Sequence, residues 1–235
     1  MKRWVALLAV GLTLLLGVPL LWALTRPAAR AGLSLGQALG AATPGTADGT
    51  TAPPAVVPSS IPSARPVSGP VSGPSSGPSP TSLGGDPASP ARLRIAAIEV
   101  DAAVTPVGVD PNGTMTVPRS AAQVGWYRFG PAPGAAAGAA VLAGHVDSRD
   151  QGQGALYRLR EVPVGATVEV VDAAGVTRRY QVVTRERLSK KALPTQALFR
   201  RTGPPRLILI TCGGEFDAQL HSYRDNVVVV AQPQA

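Results

Sequence analysis

The feature that most constrains this chain is its middle. Residues 25–90 consist mostly of Pro, Gly, Ser, Ala and Thr, with almost no aromatic or long aliphatic side chains, and residues 67–78 repeat as VSGP VSGP SSGP. Such a segment cannot bury enough apolar surface to offset its ordering entropy, so it reads as a disordered linker. As a random coil it would span roughly 50 Å, and as extended polyproline II about 200 Å. What can fold is residues 91–235, the size of one ordinary domain with one core. A large multidomain enzyme is excluded. One cysteine, Cys212, cannot pair within the chain, which excludes a disulfide-stapled module. With 26 Gly and 24 Pro, no heptad pattern survives to form a coiled coil.

Ahead of the linker stands an apolar run. After Met1, Lys2 and Arg3, residues 4–24 carry no charge, with Trp4 and Trp22 near the two ends. At ~1.5 Å per residue this length crosses a ~30 Å hydrocarbon core, and the tryptophans suit its interfaces. The competing reading is a cleaved signal, because Ala29-Arg30-Ala31 matches a small-residue cleavage site. Length favours an uncleaved anchor, since signal peptides have shorter apolar regions. The expectation is a cytoplasmic N-terminus of three residues, a single span at 4–24, and an exported remainder at the cell membrane.

Charge adds little. The chain has 22 basic and 14 acidic residues, net +8. The basic residues are scattered, and no basic–aromatic stripe accompanies them, so nucleic-acid binding is disfavoured. Arginine far outnumbers lysine, a bias typical of a high-GC bacterial coding sequence.

From residue 91 onward, short alternating or β-branched runs recur between turn signals. Strands are expected at 92–100, 114–117, 139–145, 167–172, 177–186, 206–211 and 226–230. The pair at 167–172 and 177–186 flanks Ala173-Ala174-Gly175 as a hairpin would. Short helical turns are expected at 155–160 and 189–199, the latter broken by Pro194. Many short strands with little helix predict an all-β barrel or sandwich, and closing the sheet into a barrel would remove its edges.

Few residues can do chemistry. Cys212 ends the most apolar strand and is followed by Gly213 and Gly214, which permit close approach of backbone and ligand. A buried structural thiol is the bland alternative. A free thiol in an exported chain is an oxidation liability that needs a reason. His145 also lies at a strand end, in Gly144-His145-Val146-Asp147-Ser148. His221 reads as a solvated loop residue. Arg224 precedes the last strand, either as a surface cation beside Asp225 or as a fixed guanidinium near the thiol. One Cys and two His lack the spacing of a metal site, and no cofactor is expected. Two motif matches mislead. Gly73-Pro74-Ser75-Ser76-Gly77 fits a nucleophile elbow but has no strand before it or helix after it. Asn112-Gly113-Thr114 fits a glycosylation sequon but reads better as a turn.

Taken in order, Gly144-His145-Val146-Asp147-Ser148, Leu209-Ile210-Thr211-Cys212 and Arg224 before a valine-rich strand resemble the sortases, cysteine transpeptidases of the bacterial envelope. Thr-Cys-Gly-Gly with Tyr-Arg-Asp-Asn-Val-Val-Val resembles most the class F sortases of actinobacteria. The resemblance covers residues 91–235 and implies a closed barrel of about eight strands. It implies that Cys212 attacks the Thr–Gly carbonyl of an LPXTG-like sorting signal. His145 would move the protons, and Arg224 would hold the oxyanion or the substrate backbone. Thr211, Gly213 and Gly214 would assist substrate binding. An amine of the cell envelope, such as a cell-wall precursor, would take the acyl group. Residues 187–205 correspond to the loop that reads the signal. Two other readings stay open on the residues alone: a membrane-tethered binding module, and another cysteine hydrolase or an L,D-transpeptidase.

Overall fold

The computed structural model describes residues 29–40 and 87–234. The segment read as an anchor and most of the linker lie outside them. Among the described residues, no helix is long and apolar enough to cross a membrane.

In chain order the strands are β1 (Arg30–Gly32), β2 (Pro90–Ile95), β3 (Val100–Val107), β4 (Val124–Tyr127), β5 (Ala139–Gly144), β6 (Asp147–Ser148), β7 (Gly152–Gln153), β8 (Thr167–Asp172), β9 (Thr177–Ser189), β10 (Arg206–Asp217) and β11 (Ser222–Pro233). Two four-residue helices, α1 (Leu35–Ala38) and α2 (Thr195–Leu198), and three 3₁₀ turns accompany them among the described residues. The main sheet runs β9-β11-β10-β5-β4-β3-β2-β8, and β8 pairs back to β9. That last pairing closes an all-β barrel of eight strands. Only β3–β4 and β5–β10 are parallel among its neighbours.

Alternation along the strands sorts side chains to two sides. Leu93, Ile95, Leu142, Leu207, Leu209, Val227 and Val229 fill the interior with their neighbours. Val141, Ala143, Ile208, Ile210, Val228 and Val230 point outward, yet they are buried under Leu35, Ala38, Leu39 and Leu198. This second apolar layer explains why β5, β10 and β11 read as continuous hydrophobic runs and not as alternating ones.

The expected hairpin is present as β8–β9, and β10 and β11 lie side by side. Besides the extension of β10 to Asp217, which puts Cys212 within the strand and not at its end, three expectations change. The run 92–100 is two strands, because a 3₁₀ turn at Ala96–Ile98 and left-handed Glu99 fold it into the antiparallel pair β2–β3. Residues 114–117 make only an isolated bridge, Val109 to Met115. The third change concerns the linker, which does not extend unstructured over 25–90. β1 pairs with Thr184–Glu186 on the edge of β9 that β8 leaves free, and α1 follows it onto the outer layer. Ser34 caps α1 by accepting from the Gln37 backbone at 3.2 Å, while Gln37 Oε1 accepts from the Ser34 backbone at 3.0 Å. Thr184 Oγ1 donates to the carbonyls of Ala31 and Leu33, and the Leu35 N–H donates to Glu186.

Candidate active site

The site grows from the parallel pair β5–β10. Their register runs from Arg206 opposite Ala139 to Ile210 opposite Ala143. One step on, buried Thr211 donates from Oγ1 to the Gly144 carbonyl at 2.8 Å. The next residues are Cys212 and His145. Ile208 and Ile210 face outward on β10, as Val141 and Ala143 do on β5. A period of two therefore puts Cys212 and His145 on the same outer face. Both line one cavity of about 400 Å³, with Asp147, Phe216, His221 and Tyr223 among its walls.

Hydrogen bonding fixes the imidazole. His145 Nε2 lies 2.9 Å from the Pro118 carbonyl, which can only accept, so Nε2 carries the proton in the neutral ring. Nδ1 is left with its lone pair. Burial pushes the Cys212 thiol above its usual range; the nearby Lys190 charge pulls it down and Asp147 pushes it up. Burial thus disfavours the thiolate form at rest. Tyr223 donates its hydroxyl to Asp147 at 2.5 Å, and this bond to the carboxylate, with burial and its charge, pushes the phenol up to about 12. The bond ties the start of β11 to β6 across the rim of the site.

Cys212 also borders a second cavity, of about 260 Å³. Arg160, Arg185 and Arg187 line it with Ala29, Tyr157 and Thr211, and Val146, Asp147 and Tyr223 belong to both cavities. The strand arginines point there because of a bulge. Opposite Val230 and Ala231, β9 carries the extra residue Val183, so its phase flips and Arg185 comes opposite Val229, an interior residue. Arg185 is buried, donates from Nη1 to the Val162 carbonyl at 2.7 Å, and has its pKa lowered by desolvation.

The remaining expected site residues are placed differently from one another. Arg224 lies two residues before Asn226, the register partner of Cys212, and so shares its face of β11. Its guanidinium is exposed and turned to Asp217 at 3.3 Å and Glu215 at 3.8 Å, and it lines neither cavity. The Thr211 hydroxyl is taken by Gly144, which makes it a strap from the middle of β10 to the end of β5. Gly213 and Gly214 sit at the bulge of β10 and line the second cavity. Gly214 has φ +77, and a side chain there would run into the Asp225 carboxylate. Its first need for glycine is therefore the backbone turn. His221, left-handed at the β10–β11 loop, is exposed and rims the cavity of His145. Sequence reasoning missed the part played by Tyr223 and by the three arginines. Among the described residues, no group of three or more His, Cys, Asp or Glu could hold a metal ion.

A family model for the sortase domain matches residues 93–234, more than half of the chain. No curated protein matches the sequence. Among solved structures, a sortase C-1 from Actinomyces oris is similar at 20% identity, covering 61% of this chain and 73% of its own, with a TM-score of 0.48. A sortase A from Corynebacterium diphtheriae is similar at 15% identity, covering 64% and 62%, with a TM-score of 0.48. A sortase C1 from Streptococcus suis gives 15%, 63%, 74% and 0.47. At such scores the family assignment rests on the domain match.

Proposed function

Because the chain belongs to the sortase family, whose members are cysteine transpeptidases acting on sorting signals, we propose that Cys212 is its nucleophile, His145 its acid–base group, and an LPXTG-like signal its acyl donor. One observation carries this reading: Cys212 and His145 follow directly on the strapped pair Thr211–Gly144 and line one cavity. In the reaction, His145 takes the thiol proton and the sulfur attacks the Thr–Gly carbonyl. The imidazolium then protonates the departing glycine amine, leaving a threonyl thioester on Cys212. An incoming amine attacks that carbonyl, gives its proton to His145, and expels the thiolate.

Arg224 is the proposed oxyanion or backbone donor. It shares the outer face with Cys212, and its present partners are the exposed Glu215 and the half-buried Asp217. The guanidinium itself is exposed, so these pairs are weak and can be exchanged for substrate. The class F likeness of Thr211-Cys212-Gly213-Gly214 and Tyr223-Arg224-Asp225-Asn226 supports an actinobacterial enzyme of that class. The uncharged run at 4–24 supports a single-pass anchor with the barrel outside the cell.

The test is mass spectrometry of the full chain with an LPXTG peptide and hydroxylamine. Cleavage between Thr and Gly, giving the threonyl hydroxamate and lost in Cys212→Ala, is the expected result. Readily alkylated Cys212 without any cleavage would move the substrate away from LPXTG-like signals.

A further inference from the structure

A transpeptidase must seat two substrates around one sulfur, and this chain has two cavities that meet there. The cavity with His145, Phe216 and His221 lies on the outer face. The other carries three guanidiniums and, among its lining residues, one carboxylate, Asp147, which already accepts the Tyr223 hydroxyl. Two more carboxylates stand close by. Asp225 is 3.4 Å from Arg187, and Glu161 is 3.5 Å from Arg160 while also accepting from Arg158 at 2.9 Å. Arg160 and Arg187 keep about half of their side-chain surface exposed, so both can meet a ligand. Arg160 also stacks on Tyr157 at 4.8 Å, which fixes its plane. A wall of this kind suits a compact anion, because guanidinium forks match carboxylate and phosphate oxygens.

We propose that this arginine-lined cavity seats the amine acceptor, and that the acceptor bears an anionic group, carboxylate or phosphate, held by Arg160 and Arg187. The proposal rests on the transpeptidase reading above. With its anion among the arginines, the acceptor's amine sits where the two cavities share Val146, Asp147, Cys212 and Tyr223. There the N–C bond forms, the C–S bond breaks, the sulfur leaves with its electron pair, and the amine proton passes to His145.

The test uses the full chain, its Arg160→Gln variant and its Arg187→Gln variant, with two readouts. The first is the ratio of Cys212 alkylation rates by anionic iodoacetate and neutral iodoacetamide, which needs no acyl transfer. Each lost guanidinium should lower that ratio about fivefold, the effect of one unit charge at ~4 Å with water-like screening. The second is transfer from an LPXTG peptide to matched acceptors: β-alanine against β-alaninamide, and O-phosphoethanolamine against ethanolamine. Wild type should prefer a charged member, and both variants should lose that preference by a similar factor. Whichever pair shows the effect identifies carboxylate or phosphate as the anion. An unchanged alkylation ratio in both variants overturns the proposal, as does a wild type indifferent to acceptor charge. Absence of peptide cleavage instead overturns the transpeptidase reading, while the alkylation ratio still decides whether the cavity attracts anions.

Discussion

Replacing Thr211 by valine removes one hydrogen bond and little else, since the two side chains have nearly the same shape. The bond runs 2.8 Å to the Gly144 carbonyl, and Thr211 is only 3% exposed, so no water replaces the lost hydroxyl. A buried carbonyl left without its donor costs about 1–3 kcal/mol. For a chain of this size, roughly 2–4 °C of Tm accompanies each kcal/mol, so a drop on the order of 5 °C is expected. Activity should suffer more than stability does. The bond fixes the two residues directly before Cys212 and His145. Misplacing reacting groups on the order of 1 Å costs about 10²-fold in rate. The assay is kcat/KM for LPXTG-peptide cleavage alongside thermal unfolding of the same preparations. Thr211→Ser keeps the donor and should stay near wild type in rate. A valine variant with wild-type kcat/KM would refute the strap. A serine variant as impaired as the valine one would shift the role to the methyl group.

Other perturbations probe the site and its supports. Alkylation of Cys212 by iodoacetamide should rise with pH through a midpoint above the ordinary thiol value of ~8.5, because burial raises its pKa and the thiolate is the reactive form. Lys190→Gln removes a nearby positive charge and should move that midpoint up; Asp147→Asn removes a negative one and should move it down. Equal midpoints in all three proteins would contradict this electrostatic reading. Gly214→Ala should lower Tm and activity together, since it puts a side chain at positive φ against Asp225, and wild-type values for both would show that the bulge adapts. Arg224→Lys should lower kcat/KM at least tenfold with little change in Tm, because the guanidinium is exposed and lysine keeps its charge, while the planar fork is what substrate would use. Near-wild-type kcat/KM would leave Arg224 a surface charge.

Much of the barrel was legible because its strands obey local rules. The β8–β9 hairpin has its turn residues, and β10 and β11 are apolar enough to be central on sight. His145 was legible as the residue that follows β5, but Cys212 was expected at a strand end and lies inside β10, because that strand keeps pairing with β11 after its pairing with β5 stops at Ile210. What failed has particular causes. The sequence Ser34-Leu35-Gly36-Gln37-Ala38-Leu39 carries a capping box and apolar residues at helical spacing, but averaging over a Pro- and Gly-rich window hid both. β4 is only four residues long, too short for an alternating pattern to stand out. Arg185 and Arg187 alternate with Glu186 like a solvated edge, and only the bulge at Val183 turns them toward the second cavity. A phase flip of one residue depends on the partner strand, so no single-strand pattern shows it. Tyr223 and Asp147 lie 76 residues apart, and their bond exists only because β11 returns beside β10.

The docking of residues 29–40 alters what the long Pro/Gly/Ser segment can do. Its two ends are both fastened to the barrel, one after α1 and one before β2, so its length no longer sets how far the enzyme stands from whatever precedes Ala29. Between the apolar run ending at Leu24 and the first described residue there are four residues, which extend at most ~14 Å. Reach is therefore short however long the insert becomes. A protease cutting within the insert would not free the barrel at once. It would leave a two-piece molecule joined by the β1–β9 pairing and the burial of Leu35, Ala38 and Leu39, with shedding governed by a dissociation equilibrium.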